Sequence, residues 1–173
     1  MNESLKLGVF LAAVSAIAAF SLSLTYILTA DKIAESRAAE LKMALQTVIP
    51  QADKFDEKNE NLFVALRGKN KIGLCFKVFS KGYAGAITLL VGIDSEGKVA
   101  GVEILKMSET PGLGLRAIKP VFLNQFKGKT SESKLKAKED IVALTGATIT
   151  SNAVASGVRE ALKEFTENKA LLK

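Results

Sequence analysis

The sequence predicts an α+β protein: an N-terminal transmembrane helix and helical stalk, then one mainly antiparallel sheet packed with helices. Three observations lead there. An uncharged apolar run opens the chain, short apolar stretches of strand character follow, and the C-terminal segment carries an apolar stripe at helical spacing. Strands in series followed by helices pack as an antiparallel sheet with helices against it. The 173 residues suffice for one domain of ordinary size plus an appendage.

Leu7 to Ala30 is a stretch of 24 residues without charge, bracketed by Lys6 and Asp31. A spanning helix needs about 20 mostly apolar residues, whereas a secretory signal carries an apolar core of about 7–15 and a small-residue cleavage site. The run is longer than that, and Leu28-Thr29-Ala30 matches such a site poorly, so a retained anchor is the better reading. Orientation is not decided by charge. Lys6 stands on one side, and Lys32, Arg37 and Lys42 stand among acids on the other. Gly8, Ala12, Ala16, Ala19 and Ser23 fall on one helical face. That face suits close docking on a partner helix and equally suits plain tolerance of small residues in lipid.

Ile33, Leu41, Leu45 and Val48 extend the helical pattern as a stalk, which Pro50 stops, and Gln51 to Asn61 reads as a polar connector. The stalk and connector occupy residues 31–60 and the globular domain residues 61–173. Leu62–Leu66, Ile72–Phe79, Ile87–Ile93 and Val99–Lys106 read as strands, the last two joined in a hairpin by Asp94-Ser95-Glu96-Gly97. Ala117–Phe126 suggests a short helix interrupted at Pro120. Thr150–Glu167 is a helix whose Val154, Val158, Ala161, Leu162 and Phe165 form one stripe.

Composition excludes several chemistries. The chain has no His, no Trp and one Cys. A catalytic unit built on imidazole, a structural zinc site, a Cys-ligated cluster, a His-ligated haem and an intrachain disulfide all fall away. No metal site and no catalytic residue is assigned. Redox chemistry in this chain would require an organic cofactor. Residues 61–173 carry 18 basic and 10 acidic side chains, against 5 and 7 in residues 31–60. Lys127 to Lys138 holds five Lys, but no aromatics interleave for base stacking, so nucleic acid is not a partner. Anionic headgroups or simple solvation remain open for that segment, and a basic surface suits an anionic cofactor.

Local motifs differ in weight. Gly128-Lys129-Thr130 lacks the upstream Gly of a phosphate loop, since Leu123 stands there. Gly112-Leu113-Gly114 lacks the third Gly of a dinucleotide fingerprint. Cys75 reads as a small buried hydrophobe. Thr145-Gly146-Ala147-Thr148-Ile149-Thr150-Ser151 leads straight into the last helix. Capping by Thr150 or Ser151 is the better reading of these residues alone, with a phosphate at the helix entrance as the second. Glu109-Thr110-Pro111-Gly112-Leu113-Gly114 and Gly82-Tyr83-Ala84-Gly85 are turn-forming segments that can also bring bare backbone against a flat ligand.

Together, the N-terminal anchor and these three segments resemble the FMN-binding domain family, in the branch of the G subunits of Rnf electron-transport complexes. The C subunits of sodium-translocating NADH:quinone reductases carry similar motifs. The resemblance implies FMN joined by a phosphoester to Thr148, attached by a flavin transferase. It implies further cofactor contacts from Thr145, Gly146, Ala147, Thr150, Glu109, Thr110, Gly112, Leu113, Gly114 and Tyr83. Gly112 and Gly114 would line the ring, Tyr83 would pack near it, and Thr110 or the N–H groups near Leu113 would hydrogen-bond it. It implies a bacterial inner-membrane protein with residues 1–6 in the cytoplasm and the domain outside. The chain would relay electrons among the other subunits of an ion-translocating ferredoxin:NAD oxidoreductase complex, without turnover of its own. One departure stands out. The Asp that the family places three residues before Thr145 is Val142 here, and Asp140 lies two residues earlier. Either Asp140 substitutes through a shifted backbone, or modification is less efficient. The alternative function is an envelope-anchored, non-redox ligand-binding or sensory domain of the same fold. A weaker third is an assembly role exercised only through the small-residue helix face.

Overall fold

The computed structural model describes residues 3–172 and divides them into two compact units, one up to Glu40 and one from Leu41 on. Helix α1 is Glu3–Val48. Its apolar part is long and apolar enough to cross a membrane, and none of it is buried inside the protein. Thr25 and Thr29 donate their hydroxyls to carbonyls one turn back, at 2.9 and 2.8 Å, so both hydroxyls are satisfied within the helix.

In the second unit, five strands form one antiparallel meander in the order β1-β2-β3-β4-β5. They are β1 Lys54–Asn59, β2 Leu62–Arg67, β3 Asn70–Lys81, β4 Ala86–Asp94 and β5 Val99–Lys106. The four strands read from the sequence are present. The connector expected at 51–61 contains a fifth, β1, paired with β2 from Lys54↔Leu66 to Asn59↔Leu62. Its side chains are nearly all charged or polar because it is an edge strand, and Phe55 alone packs on a core. The hairpin at Asp94–Gly97 forms as expected. Asp94 Oδ1 accepts the N–H groups of Glu96 and Lys98, both at 2.9 Å.

The two sheet faces are covered differently. Helix α3, Thr148–Asn168, lies over one face, and its Val154, Val158, Ala161, Leu162 and Phe165 are buried against Leu74, Phe76, Val78, Leu89 and Val91. The opposite face receives the last turns of α1, where Ala44, Leu45, Val48 and Ile49 meet Phe63, Ala65, Cys75 and Leu90. The folded unit therefore starts at Leu41, earlier than the boundary read at 61, because the stalk's end is itself core. Close approach requires small residues on the sheet. A Cβ on Gly92 or on Gly101, which pair across β4 and β5, would stand 2.8 Å from the carbonyl oxygen of Val48.

Between β5 and α3 the chain makes a short 3-10 turn, Gly114–Ile118, then α2, Pro120–Leu123, and a second 3-10 turn, Asn124–Phe126. Pro120 begins the helix at its first position instead of interrupting one, as its missing N–H permits there. Residues 127–147 form a loop closed by one parallel bridge, Ala137↔Ile141. Within its lysine run, Lys129 pairs with Asp140, and Lys134 and Lys136 pair with Glu139.

Candidate functional site

The three segments singled out in the sequence lie far apart along the chain and meet in space. A cavity of about 480 Å³ is lined by Tyr83, Glu109, Thr110, Leu113, Gly114, Gly146, Ala147, Thr148, Ile149 and Thr150. The binding partners of Glu109 explain the convergence. Glu109 is 5% exposed. Oε1 accepts the Tyr83 and Ala84 N–H groups at 2.8 and 3.1 Å. Oε2 accepts the Thr150 hydroxyl at 2.8 Å. One side chain thus ties the Gly82–Gly85 turn, the loop after β5 and the first turn of α3 together. Two glycines leave room for it: a Cβ on Gly114 would stand 2.6 Å from Glu109 Oε2, and one on Gly82 would collide with Oε1.

Helix α3 begins at Thr148, two residues before the predicted start, with Ala147 at the N-cap position and no side-chain cap. The capping expected of Thr150 or Ser151 is not what these residues do. The Thr150 hydroxyl is committed to Glu109. The Ser151 hydroxyl donates to the Ala147 carbonyl at 2.9 Å and accepts the Leu144 N–H at 3.0 Å, which fixes the turn leading into the helix. The helix entrance is left open to an anion, with backbone N–H groups and the positive dipole end pointing outward. Gly146 takes the turn just before it with φ +77. The Thr148 hydroxyl, half-buried at the first helical position, makes no hydrogen bond among the described residues.

Thr148 and Gly146 also line a second cavity of about 640 Å³ with Lys138, Asp140, Val142 and Thr145. Thr148 therefore stands on the wall between two spaces. Thr145 faces only the second, and Gly112 lines neither; Gly112 is a turn residue with φ +77 and open space around it. The Leu113 N–H is not free for a ligand, since it closes the loop onto the Thr110 carbonyl at 3.2 Å, as does that of Leu115. The rim of the first cavity is apolar and exposed at Tyr83, Leu113 and Ile149. Ile149 is a lining residue that the sequence reading does not single out; its place next to Thr148 at a helix start is the available signal.

Asp140 lines the second cavity with Thr148 and is bonded into its own loop. Oδ1 accepts the Lys136 N–H at 2.9 Å, and Oδ2 accepts the Leu135 N–H at 3.1 Å and Lys129 Nζ at 3.2 Å. Burial alone would raise its pKa, but the Lys136 and Leu135 amides and the Lys129 ammonium outweigh that and hold it at about 2. These bonds hold a loop in which Leu135 and Lys138 adopt φ of +48 and +69. The Val142 side chain is 81% exposed, while its backbone is clamped by Gln125, whose Oε1 accepts the Val142 N–H at 2.8 Å.

Comparison with known proteins agrees with this geometry. The FMN-binding domain family matches residues 82–163, which include every residue of the 480 Å³ cavity, and the RnfG N-terminal region matches residues 1–48. The G subunit of the proton-translocating ferredoxin:NAD(+) oxidoreductase complex of Clostridium ljungdahlii is 37% identical over 148 residues, 82% of this chain and 80% of its own. The G subunit of the Na(+)-translocating ferredoxin:NAD(+) oxidoreductase complex of Acetobacterium woodii is 35% identical over 188 residues, 92% of this chain and 90% of its own. Among solved structures, the C subunit of the Na(+)-translocating NADH-quinone reductase from Parabacteroides distasonis superposes with a TM-score of 0.51 at 25% identity, over 62% of this chain and 61% of that one. NqrC of Shewanella oneidensis shares the fold, with a TM-score of 0.53 at 18% identity over 72% and 73% of the two chains. The apolar α1 and the matched N-terminal region mark a membrane-anchored protein. With an FMN-binding domain, that anchor and these relatives, the chain belongs to the family of G subunits of ion-translocating oxidoreductase complexes.

Proposed function

We propose that this chain carries FMN as a phosphoester on Thr148 and relays electrons within an Rnf-type ion-translocating ferredoxin:NAD oxidoreductase complex. The observation that carries the reading is the Thr148 hydroxyl: unbonded among the described residues, half-buried, at an uncapped helix entrance and on the wall of the cavity. The residues fit the group. The cavity of about 480 Å³ lies within the usual size of small-molecule sites, roughly 300–1,000 Å³. A phosphate on Thr148 Oγ1 meets the positive end of α3, worth about 0.3–1 kcal/mol at an exposed site. Tyr83, Leu113 and Ile149 offer apolar surface to a flat ring, and the Thr110 hydroxyl on the cavity wall is available to orient it. Bound FMN supplies the electron-accepting and electron-donating chemistry that no side chain here possesses.

The chain's own part is to hold and shield the cofactor. The Glu109 bonds fix the walls, Gly114 leaves room for the Glu109 and Thr150 side chains, and Ala147 at the N-cap position puts no polar side chain over the helix entrance. The domain lies on the extracytoplasmic side with residues 1–6 in the cytoplasm and a single crossing by α1. An ester link suits that side, where a dissociated cofactor is lost. The other members of the complex and a flavin transferase are the partners.

Intact-mass analysis and peptide mapping of the full chain, co-expressed with a flavin transferase, test the reading. The expected result is one esterified FMN on the peptide containing Thr148, absent from a folded Thr148→Ala variant. Wild-type chain recovered unmodified from such a host refutes it.

A further inference from the structure

Glu109 is the one acidic side chain among the described buried residues, and it forms part of the cavity wall. It does more than brace the loops. Its two oxygens face three donors, the N–H groups of Tyr83 and Ala84 and the hydroxyl of Thr150, and no acceptor. That is the arrangement of a carboxylate rather than a carboxylic acid. No lysine or arginine pairs with it in any ion pair among the described residues. Dipoles hold the charge, and no ion pair neutralises it.

We infer that Glu109 sets the reduction potential of the cofactor, as a fixed negative charge on the cavity wall that opposes the arrival of an electron. The inference rests on the proposed placement of FMN at Thr148, which shares this cavity. A buried charge is screened little by water or salt and acts strongly at short range. Adding an electron to a group beside it costs more than beside a neutral wall, so the wild-type potential is held low. The carboxylate is held in place by its bonds to the Tyr83 and Ala84 N–H groups and the Thr150 hydroxyl.

Geometry and charge can be separated in one position. In Glu109→Gln the amide oxygen still accepts the Tyr83 and Ala84 N–H groups, and the amide nitrogen donates to the Thr150 oxygen. Shape and bonds persist while the charge is gone. In Glu109→Asp the charge persists on a shorter stem.

The test is spectroelectrochemical titration of the full-length, flavinylated chain in detergent, as wild type, Glu109→Gln and Glu109→Asp. The expected result is a positive shift of the midpoint potential in Glu109→Gln, retained at high salt, and a potential near wild type in Glu109→Asp. A flavinylated Glu109→Gln that titrates at the wild-type potential overturns the inference and leaves the FMN placement standing. An upward shift in Glu109→Asp, which keeps the charge, shows packing at work instead of charge and overturns it too; this arm is read against wild type and stands even if Glu109→Gln does not accumulate. Wild-type chain without flavin overturns both the placement and the inference.

Discussion

Asp140→Asn perturbs the loop that leads to Thr148 without touching the cavity of the proposed cofactor. Asn retains one acceptor, enough for the Lys136 N–H at 2.9 Å. Its NH2 then faces the Leu135 N–H and Lys129 Nζ, donors at 3.1 and 3.2 Å from the present Oδ2. Two hydrogen bonds are lost, each worth about 1 kcal/mol net, so the variant should be about 2 kcal/mol less stable at pH 7. That corresponds to a fall in Tm of about 4–8 °C for a chain of this size. The strain of Leu135 at φ +48 adds to the tendency of the loop to open. The pH dependence has a definite sign. Asp140 titrates at about 2 in the folded chain against an ordinary 3.8, so its contribution is present above about pH 4 and is lost as pH falls through about 2. The gap between wild type and Asp140→Asn should therefore narrow on acidification. Thermal unfolding in detergent, followed by near- and far-ultraviolet circular dichroism between pH 7 and pH 2, measures it. A gap below about 0.5 kcal/mol at pH 7, within the range of ordinary surface substitutions, or one that widens in acid, refutes the reasoning.

Two further outcomes follow from packing. Gly101→Ala places a methyl 2.8 Å from both Cα and O of Val48 and must push the end of α1 off the sheet, at a cost of about 1–3 kcal/mol. Gly85→Ala, whose nearest neighbour would be Ser108 Cβ at 3.6 Å, is the matched control and should stay within about 0.5 kcal/mol of wild type in the same melt. Cys75 is fully buried on the sheet face under α1, and burial pushes its thiol pKa up. Iodoacetamide should leave it unmodified in the native chain and alkylate it in urea, as read by mass spectrometry; rapid native labelling would contradict the packing described.

Much of the architecture is legible because it rests on short-range periodicity. The uncharged run of α1, the four apolar strands, the turn at Asp94–Gly97 and the stripe from Val154 to Phe165 each announce themselves within one segment. Strand β1 does not. Lys54–Asn59 is polar along most of its length, and it is a strand only because β2 offers an edge to pair with. The start of α3 reads two residues late for a related reason: Thr150 and Ser151 look like caps, yet their hydroxyls are used by Glu109 and by the Leu144–Ala147 turn.

The sequence by itself determined the residue types at the site and the tether that holds the domain. The Thr-Gly-Ala-Thr run, the paired glycines around Leu113 and the aromatic turn at Tyr83 are all visible as local departures from ordinary helix and strand. Only the tertiary structure decided that they share one cavity, that Glu109 binds them across 25, 26 and 41 residues of chain, and that Asp140 belongs to a loop anchored by Lys129. A side chain's local neighbours are set by its backbone, and a strand or helix pattern records them. Its distant partners depend on how the sheet registers and where the loops close, and no repeat in the sequence encodes that.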